Sequence, residues 1–247
     1  MKSLVERMKS EFKENINEWL IKTQTPRYKY ATEHLIDKLK IYNLKGKKVL
    51  DIGCGISYIL PYIKGEKYGL DSSDKLLYLN EDEDAVFIKA DALKSNLIFK
   101  KRVFDVVVVS SFIHHIPDNK YDAMFRKIKK LLKRDGKLIL QEPNMISITG
   151  VYYKIRKVME KIYKNLFIKM VGFSEEEERY LLPKEIRMKI ERHFKIKKIK
   201  TIQFLRIPPI KSIEKYSVEP INKYVDKILD KYGWMIGTTL FIEAERK

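Results

Sequence analysis

Two glycines and a carboxylate lie close together in residues 49–57, V-L-D-I-G-C-G-I-S. Asp51 ends an apolar run, and Gly53 and Gly55 follow in a turn that we expect to enter a helix. Glycine has no Cβ atom, so the backbone can turn sharply there and a ligand can approach it closely. The segment therefore predicts a turn over which a flat or thin ligand passes.

Two ligand classes bind such a strand, glycine turn and helix: dinucleotides and S-adenosylmethionine. The dinucleotide fingerprint requires a third glycine three positions after Gly55, where this chain has Tyr58. A carboxylate such as Asp51 is unfavourable beside a pyrophosphate but complements a sulfonium and an ammonium group. These residues favour S-adenosylmethionine over NAD.

Further polar residues end the next three predicted strands. Asp71 in Y-G-L-D-S-S could accept hydrogen bonds from both ribose hydroxyls. Asp91 in K-A-D-A-L could accept from an adenine amino group while the Ala92 N–H reaches a ring nitrogen, and Ser110 ends the fourth strand. Because the carboxyl ends of parallel strands meet at one sheet edge, we expect a single ligand site there.

Histidines follow the fourth predicted strand in S-S-F-I-H-H-I-P. An oxygen or carbon acid must lose a proton before it is methylated, and histidine is the most common base near neutral pH. Adjacent side chains point in different directions, so we expect one of His114 and His115 to face the site. We favour His115, which shares a face with Phe112 in one helical turn. Glu142, at the end of the fifth strand, is a second candidate base.

Structural roles for these residues remain open alternatives. Either histidine could hydrogen-bond a neighbouring loop or the carboxylate of the cofactor. Glu142 could cap the loop that follows it. Cys54, inside the glycine loop, is predicted to be a small apolar residue rather than a catalytic thiol.

The candidate residues are positioned by alternating strands and helices. Five apolar runs, KKVLDIG, KYGLD, AVFIKAD, FDVVVVS and GKLILQEP, are separated by stretches with helical spacing such as residues 121–132. Continuous Val, Ile and Leu runs indicate strands covered on both faces, as in a parallel sheet between helices. Two helices, over residues 4–19 and 28–41, are predicted before the first strand.

The pattern changes after Pro143. Residues 152–170 predict a basic amphipathic helix, and a short helix follows near Pro183. A half-exposed strand is predicted where apolar and basic residues alternate in FKIKKIKTIQFL. Residues 213–232 are predicted to be helical with a break at Pro220. Residues 234–244 are predicted to form a last strand.

Composition bounds the function classes. The length of 247 residues fits one domain. No long apolar run predicts a membrane span, and the N-terminus lacks the apolar block of a signal peptide. We therefore expect a cytoplasmic protein. With a single cysteine and no zinc-like Cys/His spacing, we expect neither a disulfide nor a metal. The net charge of +18 is consistent with an RNA or lipid partner, but we favour the solvated charges typical of heat-adapted proteins.

Over residues 47–144 the sequence resembles the class I S-adenosylmethionine-dependent methyltransferases, particularly the broad group that includes the ubiquinone/menaquinone biosynthesis methyltransferases. VLDIGCGIS, YGLDSS, KADAL, FDVVVVSSFIHHIPD and KKLLKRDGKLILQEPN follow the order of the family's motifs. Ser57 stands where many members carry a third glycine, and serine can cap a helix. The resemblance implies S-adenosylmethionine as cofactor, with contacts from Asp51, Gly53, Cys54, Gly55, Ser57, Asp71, Ser72, Asp91, Ala92 and Ser110.

The resemblance also implies the fold. We expect a Rossmann-like α/β domain with a seven-stranded, mostly parallel sheet of order 3-2-1-4-5-7-6, in which strand 7 is antiparallel. Residues 1–247 would form one domain: an N-terminal helical cover (1–45), a cofactor-binding core (46–143), a helical insert that covers the substrate (144–193) and the last two strands (194–247).

By resemblance, the activity is methyl transfer to oxygen or carbon of a small-molecule or lipid-linked acceptor. A tRNA or RNA substrate is the alternative, since wobble-uridine methyltransferases carry a V-I-H-H type of segment after strand four. A third reading is a non-catalytic module that binds S-adenosylmethionine. The basic surfaces could contact RNA or a membrane, and the oligomeric state is left open.

Overall fold

The computed structural model describes residues 26–80, 82–147, 182–203, 219–232 and 235–247. The predicted helices over residues 4–19 and 152–170 lie outside these ranges. The described helices are α1 (Pro26–Ile41), α2 (Asp74–Leu77), α3 (Tyr121–Leu131), α4 (Pro183–Glu191) and α5 (Glu219–Tyr232). The strands are β1 (Lys48–Ile52), β2 (Glu66–Asp71), β3 (Ala85–Lys89), β4 (Phe104–Ser110), β5 (Leu132–Pro143), β6 (Phe194–Ile202) and β7 (Thr239–Arg246). Among these helices, none combines the length and apolarity needed to cross a membrane.

The seven strands form one sheet in the order β3-β2-β1-β4-β5-β7-β6. Strands β1 to β5 pair in parallel, and β7 runs antiparallel to both β5 and β6. The predicted Rossmann-like sheet and its order are therefore confirmed. Between β1 and β4 the order along the chain reverses, and an open α/β sheet binds its ligand in the crevice at such a point.

Both faces of the central strands are buried, because side chains alternate across the sheet. Leu50, Val107 and Leu140 face a core that includes Phe125 and Ile128 of α3. On the other face, Val49, Val108 and Ile139 pack against Leu35 and Leu39 of α1. The continuous apolar runs of the sequence arise from this two-sided burial.

The glycine loop does not enter an α-helix, so that prediction was wrong. A three-residue 3-10 turn, Leu60–Tyr62, follows instead, with Pro61 in its first positions. Only ten residues separate Gly55 from Glu66, the first residue of β2. Gly65, just before β2, packs against the residue that precedes β1: a Cβ atom on it would lie 2.4 Å from the Lys47 carbonyl oxygen. This short connection has no room for a full helix and its return to the sheet.

The last strands differ in detail from their predicted bounds. β7 begins at Thr239 rather than near residue 234, because the Asn144 Nδ2 donates to the carbonyl oxygens of Met235 (2.8 Å) and Gly237 (2.7 Å). These bonds hold that stretch in a loop against the end of β5. In β6 the register shifts between Ile196 and Lys198, which interrupts the predicted alternation.

Candidate active site

The glycine loop after β1 adopts a backbone that favours glycine. Gly53 has φ +71° and Gly55 has φ +49°, both in the left-handed region. The N–H groups of Gly53 and Cys54 donate to the Leu70 carbonyl oxygen, at 2.7 and 3.2 Å. A Cβ atom on Gly53 would lie 2.1 Å from Cδ2 of Phe112, so the phenyl ring lies directly against this glycine. Conformation and close packing both require glycine here.

Asp51 is buried beneath the loop, at 4% exposure. Its Oδ2 accepts a hydrogen bond from the Ser57 hydroxyl at 2.8 Å, and the Ser57 Oγ accepts from the Leu60 N–H at 3.2 Å. Burial raises the pKa of Asp51 to about 7; the Ser57 hydroxyl opposes this shift and the charge of Asp71 adds to it. A carboxyl group in this state gains from a nearby cation, because the cation favours its ionised form.

Asp71, the last residue of β2, joins two loops. Its Oδ2 accepts from the Gly55 N–H at 2.9 Å, and its Oδ1 accepts from the Ser73 N–H at 2.8 Å. Each carboxylate oxygen can accept more than one hydrogen bond, so both retain capacity for ribose hydroxyls. Ser72 lies exposed beside this carboxylate.

Asn80 is hydrogen-bonded to the glycine loop, a role that the sequence did not indicate. Its Nδ2 contacts the carbonyl oxygens of Gly55 (2.9 Å), Leu77 (3.1 Å) and Leu76 (3.2 Å). Its Oδ1 accepts from the Ser57 N–H at 2.8 Å. Asn80 lies three residues beyond the end of α2 and 25 positions after Gly55 in the sequence, so it belongs to no local motif. Only the folded chain makes this contact visible.

The remaining predicted cofactor residues lie along the same sheet edge. Asp91 lies two residues beyond the end of β3, is exposed, and its Oδ1 accepts from the Leu93 N–H at 2.8 Å. Ala92 is buried and starts a 3-10 turn, while Ser110 is the last residue of β4 and half-buried. Cys54 is buried, and burial raises the pKa of its thiol. This environment suits a small apolar residue rather than a nucleophile.

Two of the three predicted catalytic candidates, His114 and Glu142, are hydrogen-bonded to each other. His114 Nδ1 lies 2.7 Å from Glu142 Oε2, and both side chains are buried, at 5% and 0% exposure. The other carboxylate oxygen, Oε1, accepts from the N–H groups of Phe112 (2.8 Å) and Ile113 (2.6 Å). Glu142 therefore hydrogen-bonds both the ring of His114 and the backbone of Phe112 and Ile113, which lie just after β4.

His115 occupies a different environment. It belongs to the 3-10 turn Ile113–His115, and its N–H donates to the Phe112 carbonyl oxygen at 3.0 Å. Its side chain is exposed, and its ring centroid lies 4.0 Å from that of His114. The turn therefore exists as expected, but His114 is the histidine that a carboxylate orients.

The residues present fit S-adenosylmethionine. Gly55 leaves space where a side chain would stand, since the nearest atom to a Cβ would be Leu76 Cδ1 at 3.5 Å. Asp71 supplies acceptors for ribose hydroxyls, and Asp51 lies under the loop as a partner for positive charge. The third glycine of the dinucleotide fingerprint, which allows the helix to pack closely on the strand, is absent because position 58 is tyrosine.

A known domain covers the same elements: residues 50–140 match the family model described as a methyltransferase domain. Residues 50–140 are therefore a methyltransferase domain, and the sheet order and loop geometry are those expected of the class I S-adenosylmethionine-dependent enzymes. The cofactor of this domain is S-adenosylmethionine.

Individual proteins resemble it more distantly. A ubiquinone biosynthesis O-methyltransferase of Glaesserella parasuis is 26% identical over 53% of this chain and 65% of that enzyme, so the match spans slightly less than two thirds of the relative. An uncharacterized protein of Methanocaldococcus jannaschii is 27% identical over 85% of this chain and 87% of that protein. The fold is similar to a solved methyltransferase, a possible histamine N-methyltransferase, of Thermotoga maritima: TM-score 0.60, 19% identity, 97% of this chain and 100% of that one.

Proposed function

We propose that this methyltransferase transfers the methyl group to an oxygen or carbon atom of a small-molecule or lipid-linked acceptor. The observation that carries the proposal is the buried His114, whose ring is held by Glu142 just beyond β4. An amine acceptor can use its own lone pair, whereas a hydroxyl or carbon acid must lose a proton. A carboxylate-oriented histidine meets that need.

Different residues of the site bind the cofactor and accept the proton. When bound, the cofactor supplies an electrophilic methyl group on a sulfonium. Asp51, Asp71 and the glycine loop bind and orient it, so that most of the rate gain comes from alignment and the exclusion of water. His114 accepts the proton of the acceptor, and Glu142 stabilises the imidazolium that forms.

The O-methyltransferase relative supports an oxygen acceptor, although it is matched over only part of its length. An RNA acceptor is the competing possibility because the net charge is +18. Along β6, however, lysines are paired with acids: Lys197 with Glu245 (2.9 Å), and Lys198 with Asp230 (3.1 Å). These pairs reduce the local positive charge, so β6 offers a weaker phosphate-binding surface than its sequence suggests.

The acceptor class is tested by incubating the protein with methyl-labelled S-adenosylmethionine and three separated cell fractions: lipid extract, small metabolites and total RNA. The matched control is Asp71→Ala, which lacks the ribose-binding carboxylate. We expect label in the lipid or metabolite fraction with the wild-type protein and little with the variant. Label confined to RNA would refute the proposed acceptor class.

A further inference from the structure

We infer that Glu142 is a positioning residue with two tasks: it fixes the tautomer of His114 and it holds Phe112 against the cofactor loop. The inference deepens the proposed function and rests on it for the role of His114 as base. Its structural basis is one carboxylate whose two oxygens serve different partners. Oε2 faces the imidazole, and Oε1 faces the backbone of the turn after β4.

The first task follows from hydrogen-bond chemistry. Oε1 accepts two backbone N–H groups, from Phe112 and Ile113, which leaves Oε2 to face the imidazole. An ionised carboxylate can only accept hydrogen bonds, so the proton of the 2.7 Å contact lies on His114 Nδ1. In a neutral ring the lone pair is then on Nε2. That nitrogen is the one which takes the acceptor's proton.

The second task concerns the glycine loop. Phe112 donates its N–H to Glu142, and its ring lies so close to Gly53 that a Cβ there would be 2.1 Å from Cδ2. Gly53 in turn donates to Leu70 at the end of β2. A continuous set of contacts therefore runs from the His114 ring through Glu142 and Phe112 to the loop that binds the cofactor. Glu142 therefore contacts both the ring of the base and the residue that packs on the cofactor loop.

Burial makes the arrangement sensitive to small changes. Glu142 is fully buried, and removal of a hydrogen-bonding partner inside a protein leaves the other groups unsatisfied. A surface pair offers a comparison: His193 Nε2 lies 2.8 Å from Asp122 Oδ1, where the two side chains are 16% and 38% exposed. Asp122→Asn is therefore a matched control for a histidine–carboxylate contact outside the site.

The test uses the full chain with ¹⁵N-labelled histidine and S-adenosylhomocysteine as the probe, so that it needs no acceptor. In Glu142→Gln the amide oxygen still accepts from the two N–H groups, while the amide NH₂ must donate to Nδ1. We expect the His114 ring to change from the Nδ1–H to the Nε2–H tautomer, with the affinity for the probe within about twofold of wild type.

Phe112→Ala tests the second task. The His114 tautomer should stay as in wild type, and affinity for the probe should fall on the order of tenfold, the size expected when one loop contact is lost. In the wild type, binding of the probe should shift the His114 ring signals, whereas Asp122→Asn should change neither quantity. An unchanged tautomer in Glu142→Gln would overturn the first task. The second task would be overturned by unchanged affinity in Phe112→Ala, or by His114 ring signals that do not shift when the probe binds.

These outcomes are separable from the proposed function. If the tautomer changes as expected but His114→Gln retains full methyl transfer, the positioning role stands and the base role falls. If His114→Gln is inactive while the tautomer does not respond to Glu142, the base role stands and another group orients it.

Discussion

The Ser57 hydroxyl donates to the buried Asp51 Oδ2 at 2.8 Å, so the carboxyl group at the end of β1 is hydrogen-bonded to a neutral side chain beneath the glycine loop. Since burial raises the pKa of Asp51 to about 7, this group is partly protonated near neutral pH. A ligand that carries positive charge converts it to the ionised form.

The first prediction is a pH-dependent cofactor affinity. Cationic S-adenosylmethionine favours ionised Asp51, so binding releases a proton when the pH is near or below about 7. Affinity should rise as the pH increases through that value and level off above it. Calorimetry between pH 5.5 and 8.5 measures this, with Asp51→Asn as the control that retains only the titration of the ligand. A slope equal in both proteins would contradict the assignment.

The same pKa predicts an effect on stability. The folded pKa of Asp51 lies above its ordinary value of 3.8, so the unfolded chain loses this proton at lower pH than the folded one. The contribution of Asp51 to the free energy of unfolding is therefore full below about pH 4 and declines as the pH rises to about 7. Chemical denaturation of wild type and Asp51→Asn across this range should show a difference that changes with pH. A constant difference would contradict it.

Much of this site was predictable because it is encoded locally. Asp51, Gly53 and Gly55 follow one apolar run, and Asp71 and Ser110 end two others, so the parallel sheet brings them to one edge. The pairing of His114 with Glu142 was not predictable, since they are 28 positions apart in the sequence and a sequence pattern does not distinguish two adjacent histidines. The absent helix after Gly55 depended on the length of a connection, which hydrophobic periodicity does not report.

Gly53→Ala should destabilise the protein more than Gly46→Ala. Both glycines have positive φ, +71° and +68°, so alanine costs about 1–2 kcal/mol in each through backbone strain. Nothing lies within 4 Å of a Cβ at Gly46, whereas at Gly53 the Phe112 ring must move. We expect a further loss of about 1–3 kcal/mol at Gly53, typical of overpacking. Equal losses of free energy of unfolding in the two variants would show that the ring adjusts freely.

Asp71→Ala should weaken binding of S-adenosylhomocysteine at least on the order of tenfold, because it removes the acceptor of the Gly55 N–H and the proposed acceptor of the ribose hydroxyls. Asp105→Asn is the control: this carboxylate accepts from the Lys48 N–H and from Lys133 Nζ at the opposite edge of the sheet. Its change should alter stability without altering affinity. Unchanged affinity in Asp71→Ala would refute the ribose assignment.

Asn80→Asp should also weaken the cofactor site, although Asn80 touches only the protein. The substitution places a carboxylate oxygen where Nδ2 now contacts three carbonyl oxygens, including that of Gly55. Repulsion should loosen the glycine loop and lower affinity for S-adenosylhomocysteine on the order of tenfold. Asn119→Asp, at an exposed position, is the matched control. Wild-type affinity in Asn80→Asp would mean that the loop holds its shape without this clamp.

The most direct measurement compares methyl transfer by His114→Gln and His115→Gln, using the cell fraction that the wild-type protein labels. Both variants should bind S-adenosylhomocysteine within about twofold of wild type, since neither residue is assigned to the cofactor. We expect His114→Gln to lose about a hundredfold or more in rate, the usual contribution of a general base, while His115→Gln retains most of the rate. Full activity in His114→Gln would contradict the proposed mechanism.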